Sequence, residues 1–185
     1  MVLTGHRSAR ADVLTSFLLG NLASTVQFQG QSVTIPNPGQ YSGISFHFFD
    51  ASNQPLAVGT LYLFSSVYTG TPDDLASASY LAASVSAAGN EYVFDPAVLL
   101  DGGKQYFFFA DAAFSARGSI TDHYSGGARY STPDGTTGFD GPARGDLNFV
   151  LSGTPVPEPA AAALLCVGLA GAAALRRRRV PVTAR

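Results

Sequence analysis

From Thr25 onward, short runs of alternating apolar and polar side chains are separated by Gly, Pro, Asn and Asp, and no long stretch keeps a helical period. This pattern predicts strands. An early pair over residues 26–28 and 32–35 is expected around Gln29-Gly30-Gln31, and Pro36-Asn37-Pro38-Gly39 turns the chain into a strand over 41–49. In that strand Ile44, Phe46 and Phe48 share one face while Ser45, His47 and Phe49 share the other, so the first face is assigned to the core. Further strands are expected over 57–64, 80–87 and 91–94, with a loop at 67–74 and a helical turn or irregular connection at 75–79. The most apolar strand is 105–113, where Tyr106, Phe107, Phe108 and Phe109 are consecutive, a composition that requires cover on both faces. A more polar neighbour over 114–124 and a last strand over 147–152 complete the set. The expectation is an all-β domain over 13–152, a two-sheet antiparallel β-sandwich of jelly-roll type, followed by a single C-terminal apolar helix.

That last segment breaks the pattern. Residues 160–175 are 16 apolar residues with no polar face, preceded by Pro155, Pro157 and Pro159 and followed by Arg176, Arg177, Arg178 and Arg179. As a helix the run reaches ~24 Å, short of a hydrocarbon core about 30 Å thick. Four arginines at one end keep that end in the cytoplasm and place the domain outside. The order Val156-Pro157-Glu158-Pro159, short apolar helix, arginine cluster resembles the PEP-CTERM sorting signal of Gram-negative bacteria. The resemblance implies that Pro157, Glu158 and Pro159 are recognised by an exosortase, an integral membrane protease. The precursor would be held in the membrane through 160–175 until the tail is removed. The chain then divides into an N-terminal segment 1–12, the sandwich 13–152, a linker 153–155, the signal 156–179 and a cytoplasmic tail 180–185. The product is expected to be exported, first as a membrane-associated precursor and then in the cell envelope or secreted.

Composition agrees with an extracellular all-β module: 13% of residues are charged, against about 25% in typical soluble domains. Five of the eleven basic residues lie in or beyond the tail, which leaves six basic against thirteen acidic groups before residue 160, a net charge of −7. No phosphate-backbone footprint is present, so nucleic acid is not an expected partner. The lone cysteine, Cys166, lies in the apolar run and leaves the processed domain without a disulfide or thiolate metal site. At the other end, Arg7, Arg10 and a short apolar stretch interrupted by Asp12 make a poor export signal. Either residues 13–23 are a weak hydrophobic leader cleaved near Asn21-Leu22-Ala23, or the start lies upstream and residues 17–22 open the first strand and turn. The second reading is preferred.

Catalytic constellations are not evident. His6, His47 and His123 have no metal-ligand spacing, and neither a phosphate-binding glycine loop nor a Gly-x-Ser-x-Gly elbow occurs. Ser119, Asp122 and His123 are sequence neighbours whose side chains alternate in direction on a strand, so surface polar residues are the simpler reading. Glu91, Asp111 and Asp122 lack any pairing signal for glycoside hydrolysis. Asp73, Asp74, Asp134, Asp140 and Asp146 offer the oxygen ligands calcium prefers, but without a known spacing they read as turn aspartates. No cofactor is expected.

One segment stands out. Residues 124–146 contain six glycines together with Tyr124, Arg129, Tyr130, Phe139 and Arg144. Long loops on a rigid sandwich often bind ligands, and exposed aromatics suit the apolar faces of sugars, which makes Tyr124, Arg129, Tyr130 and Phe139 the candidate ligand-binding residues. The plainer reading is a connection whose arginines, with Arg117, pair with nearby aspartates. The stretches Ile44-Ser45-Phe46-His47-Phe48-Phe49-Asp50, Gly59-Thr60-Leu61-Tyr62-Leu63, Tyr106-Phe107-Phe108-Phe109-Ala110-Asp111 and Asp146 through Gly153 resemble the choice-of-anchor β-sandwich domains that precede such tails. That resemblance implies a non-enzymatic structural or adhesive role linked to extracellular polysaccharide. A carbohydrate-binding module using the 124–146 loop is the alternative, and a polysaccharide-acting enzyme the third reading.

Overall fold

The computed structural model describes residues 11–36 and 38–157; the apolar segment 160–175 and the arginines after it lie outside the described residues. In chain order the strands are β1 (Asp12–Phe17), β2 (Leu22–Ala23), β3 (Phe28–Thr34), β4 (Gln40–Phe49), β5 (Pro55–Leu56), β6 (Leu61–Phe64) and β7 (Ala82–Ala83). They continue as β8 (Tyr92–Val93), β9 (Leu100–Asp101), β10 (Gln105–Ala110), β11 (Arg117–Gly118), β12 (Arg129–Thr132), β13 (Asp140–Ala143) and β14 (Phe149–Val156). Among the described residues the helical content is two 3₁₀ turns, Pro72–Ser77 and Ala88–Asn90. Among the described residues no helix is long and apolar enough to cross a membrane.

All pairing among the described residues is antiparallel. One sheet runs β1-β14-β4, with β5, β8 and β9 each pairing along β4; the other runs β13-β12-β3-β10-β6-β7, and β2 pairs with β11 as a separate ribbon. The period-2 reading of β4 holds: Ile44, Phe46 and Phe48 are all fully buried and face the opposite sheet. The Phe46 ring stacks across the sheets on Phe108 of β10 with centroids 4.6 Å apart, and on Phe149 of the neighbouring strand β14 at 5.5 Å. Both faces of β10 are covered, as its composition requires. Tyr106, Phe108 and Ala110 enter the core between the sheets, whereas Phe107 and Phe109 enter a second cluster with Tyr62, Phe64, Leu75, Tyr130 and Phe139. The 3₁₀ turn at Pro72–Ser77 supplies part of that outer cover by burying Leu75.

The structure departs from the sequence reading in several places. Gln29-Gly30-Gln31 is not a turn but the middle of a single strand, β3, bonded to β10 on one side and β12 on the other. Gly30 is required there because a side chain would run into the Phe109 ring lying over it. The first strand begins earlier than expected, at Asp12, and the stretches 80–87 and 114–124 contribute only the two-residue strands β7 and β11. Residues 153–155, expected to form a linker, belong to β14. Thr154 pairs with Ser42, Pro155 with Tyr41 and Val156 with Gln40. Among the described residues the pairing with β1 ends at Gly153, so Pro155 lies beyond the part of β14 that is paired on both sides, where a strand proline is tolerated.

Residues 126–128 dock onto β3 by backbone bonds from Ser32 to Ala128 (2.8 Å) and Thr34 to Gly126 (2.7 Å). A Cβ at Gly127 would overlap the Ser32 carbonyl. Gly127→Ala is therefore expected to cost about 1–3 kcal/mol, the usual range for overpacking, seen as a lower urea midpoint. An unchanged midpoint would place this segment elsewhere.

Candidate functional site

The 124–146 segment is a built part of the second sheet rather than a free loop. Its β12 pairs with β3 and then with β13, placing Arg129 opposite Gln31 and Ser131 opposite Gln29. Asp134 closes the β12–β13 connection by accepting the Thr136 and Thr137 amides (3.0 and 2.7 Å) and both threonine hydroxyls. Those bonds hold its carboxyl below the ordinary range. It acts as a turn-former.

The four candidate ligand-binding residues part company here. Tyr130 and Phe139 are each 5% exposed and belong to the outer cluster, their rings 5.4 and 4.7 Å from that of Phe109. Tyr124 packs edge-on against Phe149 at 5.1 Å, with its hydroxyl near Thr15. The expected exposed aromatic platform is thus not what these rings form: Tyr130 and Phe139 cover the outer face of the second sheet, and Tyr124 packs against the core between the sheets. Arg129 remains. It shares with Gln29 and Gln31 the face opposite to Tyr130, and it lines a cleft of about 370 Å³. The β2–β11 ribbon and the residues beside it, including Ser24, Thr25, Gln27, Ser119 and Ile120, form the other walls.

Arg129 does not form the ion pairs foreseen for the loop arginines. Among the described residues the ion pair is Lys104–Asp101 at 2.7 Å, and the Nε of Arg129 is buried without a hydrogen-bond partner. Burial accordingly pulls its pKa down from the usual arginine value. The contrast is Arg117, which donates to the carbonyls of Gly20 (3.2 Å) and Ala51 (3.1 Å). An unmet buried donor costs about 1–3 kcal/mol, more when charged. Beneath the cleft, Gln29 is fully buried and donates to Ser24 Oγ at 3.1 Å, leaving its Oε1 without a partner.

The aspartate that ends the 124–146 segment is already engaged. Asp146 is fully buried; its Oδ2 accepts the His123 and Tyr124 amides (3.2 and 3.0 Å) and its Oδ1 accepts Gln31 Nε2 (3.3 Å). Burial outweighs these bonds and raises its pKa above the ordinary carboxylate value. The unfolded chain releases this proton near pH 3.9, while the native state holds it to higher pH. Its contribution therefore favours folding below the unfolded pKa and fades as pH rises through the raised native one. Asp146→Asn should remove that component, so the fall in urea midpoint between pH 3.5 and pH 7 should be smaller or reversed relative to wild type. An identical difference in both proteins would contradict this.

Elsewhere the structure keeps the other candidates apart. Ser119 Oγ contacts Thr121 Oγ1 (3.0 Å) and Thr121 Oγ1 contacts His123 Nε2 (2.6 Å), so the serine and histidine meet the same threonine, not each other. Asp111 accepts the Thr60 amide at 2.6 Å. Among the described residues no three His, Cys, Asp or Glu side chains form a metal-sized group.

At the end of β14 the chain passes directly from Val156, paired with Gln40, to exposed Pro157. Pro157 is thus one residue from a strand held between β1 and β4 over much of its length; Glu158, Pro159 and Arg176 to Arg179 lie outside the described residues. No curated protein matches the chain. A family model described as the PEP-CTERM protein-sorting motif matches residues 155–179, overlapping the last two residues of β14. The chain therefore carries a PEP-CTERM protein-sorting motif and is that of an exported protein processed by an exosortase.

Proposed function

We propose that this is a non-catalytic structural or adhesive protein of the bacterial envelope or extracellular matrix, acting in association with extracellular polysaccharide. Delivery runs through Pro157, Glu158 and Pro159, with residues 160–175 in the membrane before processing and Arg176 to Arg179 on its cytoplasmic side. The observation that carries the reading is the passage of β14 into the sorting motif without a slack segment. Any group joined to the chain near Pro157 would be linked to a strand in the first sheet, and force on it would be shared along the β14–β4 ladder. A rigid connection of this kind suits a module that holds something in place.

The test is fractionation of cells making the protein with its exosortase. The processed chain is expected to co-sediment with extracellular polysaccharide and to be released when that polysaccharide is digested. A processed chain found wholly in the soluble fraction with the polysaccharide intact would contradict the matrix role. The second reading, a carbohydrate-binding module, is supported by the Arg129 cleft rather than by the aromatic residues of the 124–146 segment.

A further inference from the structure

We infer that the cleft between the β2–β11 ribbon and β12 is a binding site for a small carboxylate, held by the guanidinium of Arg129. The arrangement has three parts. First, Arg129 lines the cleft and makes no side-chain hydrogen bond or ion pair among the described residues, and its Nε is buried without a partner. A guanidinium in that condition lacks a planar acceptor, and a carboxylate supplies one in a paired geometry that a hydroxyl or a single carbonyl does not. Second, Thr25 and Gln27 also line the cleft without side-chain hydrogen bonds of their own among the described residues, which leaves polar groups for a ligand's hydroxyls. Third, Leu22 and Ile120 border the cleft at 45% and 68% exposure, giving it an apolar flank. A cleft of about 370 Å³ lies within the range that accommodates small ligands.

A hydroxylated carboxylate with one apolar face meets all three conditions. Two sources share that chemistry: an acidic sugar residue of a polysaccharide, and a free carboxylic acid. The first rests on the matrix role proposed above; the carboxylate site itself does not. The domain's acidic surface opposes a polyanion at long range, but salt at physiological strength screens that repulsion beyond about 8 Å, so the local cation governs a single acidic residue.

Titration calorimetry on the full chain in detergent tests this with glucuronate, acetate, glucose and trigalacturonate as probes. Glucuronate is expected to bind and glucose not to. Arg129→Gln should weaken glucuronate at least tenfold, about 1.4 kcal/mol, and Arg129→Lys less, because an ammonium cannot make the paired contact. Ile120→Glu adds a carboxylate to the cleft from an exposed position and should weaken binding comparably without altering the urea midpoint. Arg129→Gln should not lower that midpoint, since it removes an unpaired half-buried charge. The inference is overturned if glucuronate binds no better than glucose, or if it binds Arg129→Gln and Ile120→Glu as it binds wild type. Trigalacturonate binding tighter than acetate supports the site with polysaccharide as its source. Acetate binding as tightly as both sugars, and lost in Arg129→Gln, supports the site with a free acid as its source. Co-sedimentation with polysaccharide retained by Arg129→Gln, with no glucuronate binding by wild type, overturns the site while leaving the matrix role standing.

Discussion

Replacing Phe108 by alanine is expected to remove about 3–5 kcal/mol of folding stability. The ring is fully buried, stacks on Phe46 across the two sheets at 4.6 Å, and meets Phe94 at 6.1 Å. Its strand, β10, lies between β3 and β6, so neither neighbour can shift inward without breaking a ladder. The cavity would therefore stay largely open, and the cost would combine lost apolar transfer with lost packing. Against a typical total of 5–15 kcal/mol, that is enough to leave the variant marginal at room temperature. Phe107→Ala, in the outer cluster and 9% exposed, should cost less. Urea unfolding of the two variants measures the difference. A loss below about 1 kcal/mol for Phe108→Ala would mean that the sheets do not meet through this ring.

Changing Pro157, Glu158 and Pro159 together to alanine is expected to have the opposite profile: no change in domain stability and loss of processing. Pro157 is exposed and follows the last paired residue of β14, so its substitution removes no core contact. The motif match over 155–179 spans these residues and, if they are what the exosortase recognises, the variant chain should keep residues 160–185 in cells that process the wild type. A shortened variant chain of wild-type length would show that the tripeptide is not read.

The sequence displayed the β-fold best where one strand face is apolar and its neighbours are polar. In β4 the alternation of Ile44, Phe46 and Phe48 with Ser45 and His47 marked the core face directly, and four consecutive aromatic residues marked β10 as covered twice. Legibility failed where turn-forming residues were used for packing. Gly30 resembles a turn glycine but makes room for Phe109, and Pro155 resembles a linker proline but pairs with Tyr41 within β14. The candidate site was half visible. Arg129 was found because a cation in a glycine-rich segment is conspicuous, yet Tyr130 and Phe139 were read as exposed. Their partners Tyr62, Leu75 and Phe109 come from three other parts of the chain. Likewise, the nearby Asp134 and Asp146 seemed available to pair with Arg129 until their bonds to Thr136, Thr137, His123 and Tyr124 were known. Proximity in sequence does not show which acceptors are already used.

The account rests above all on the domain being handed, folded and without slack, to an exosortase outside the cytoplasm. Intact-mass measurement of the chain from cells with and without the exosortase tests this most directly. The predicted result is a chain that ends at or near Pro157 to Pro159 when the exosortase is present and still carries residues 160–185 when it is absent. The same mass in both cells, with residues 160–185 included, would contradict it.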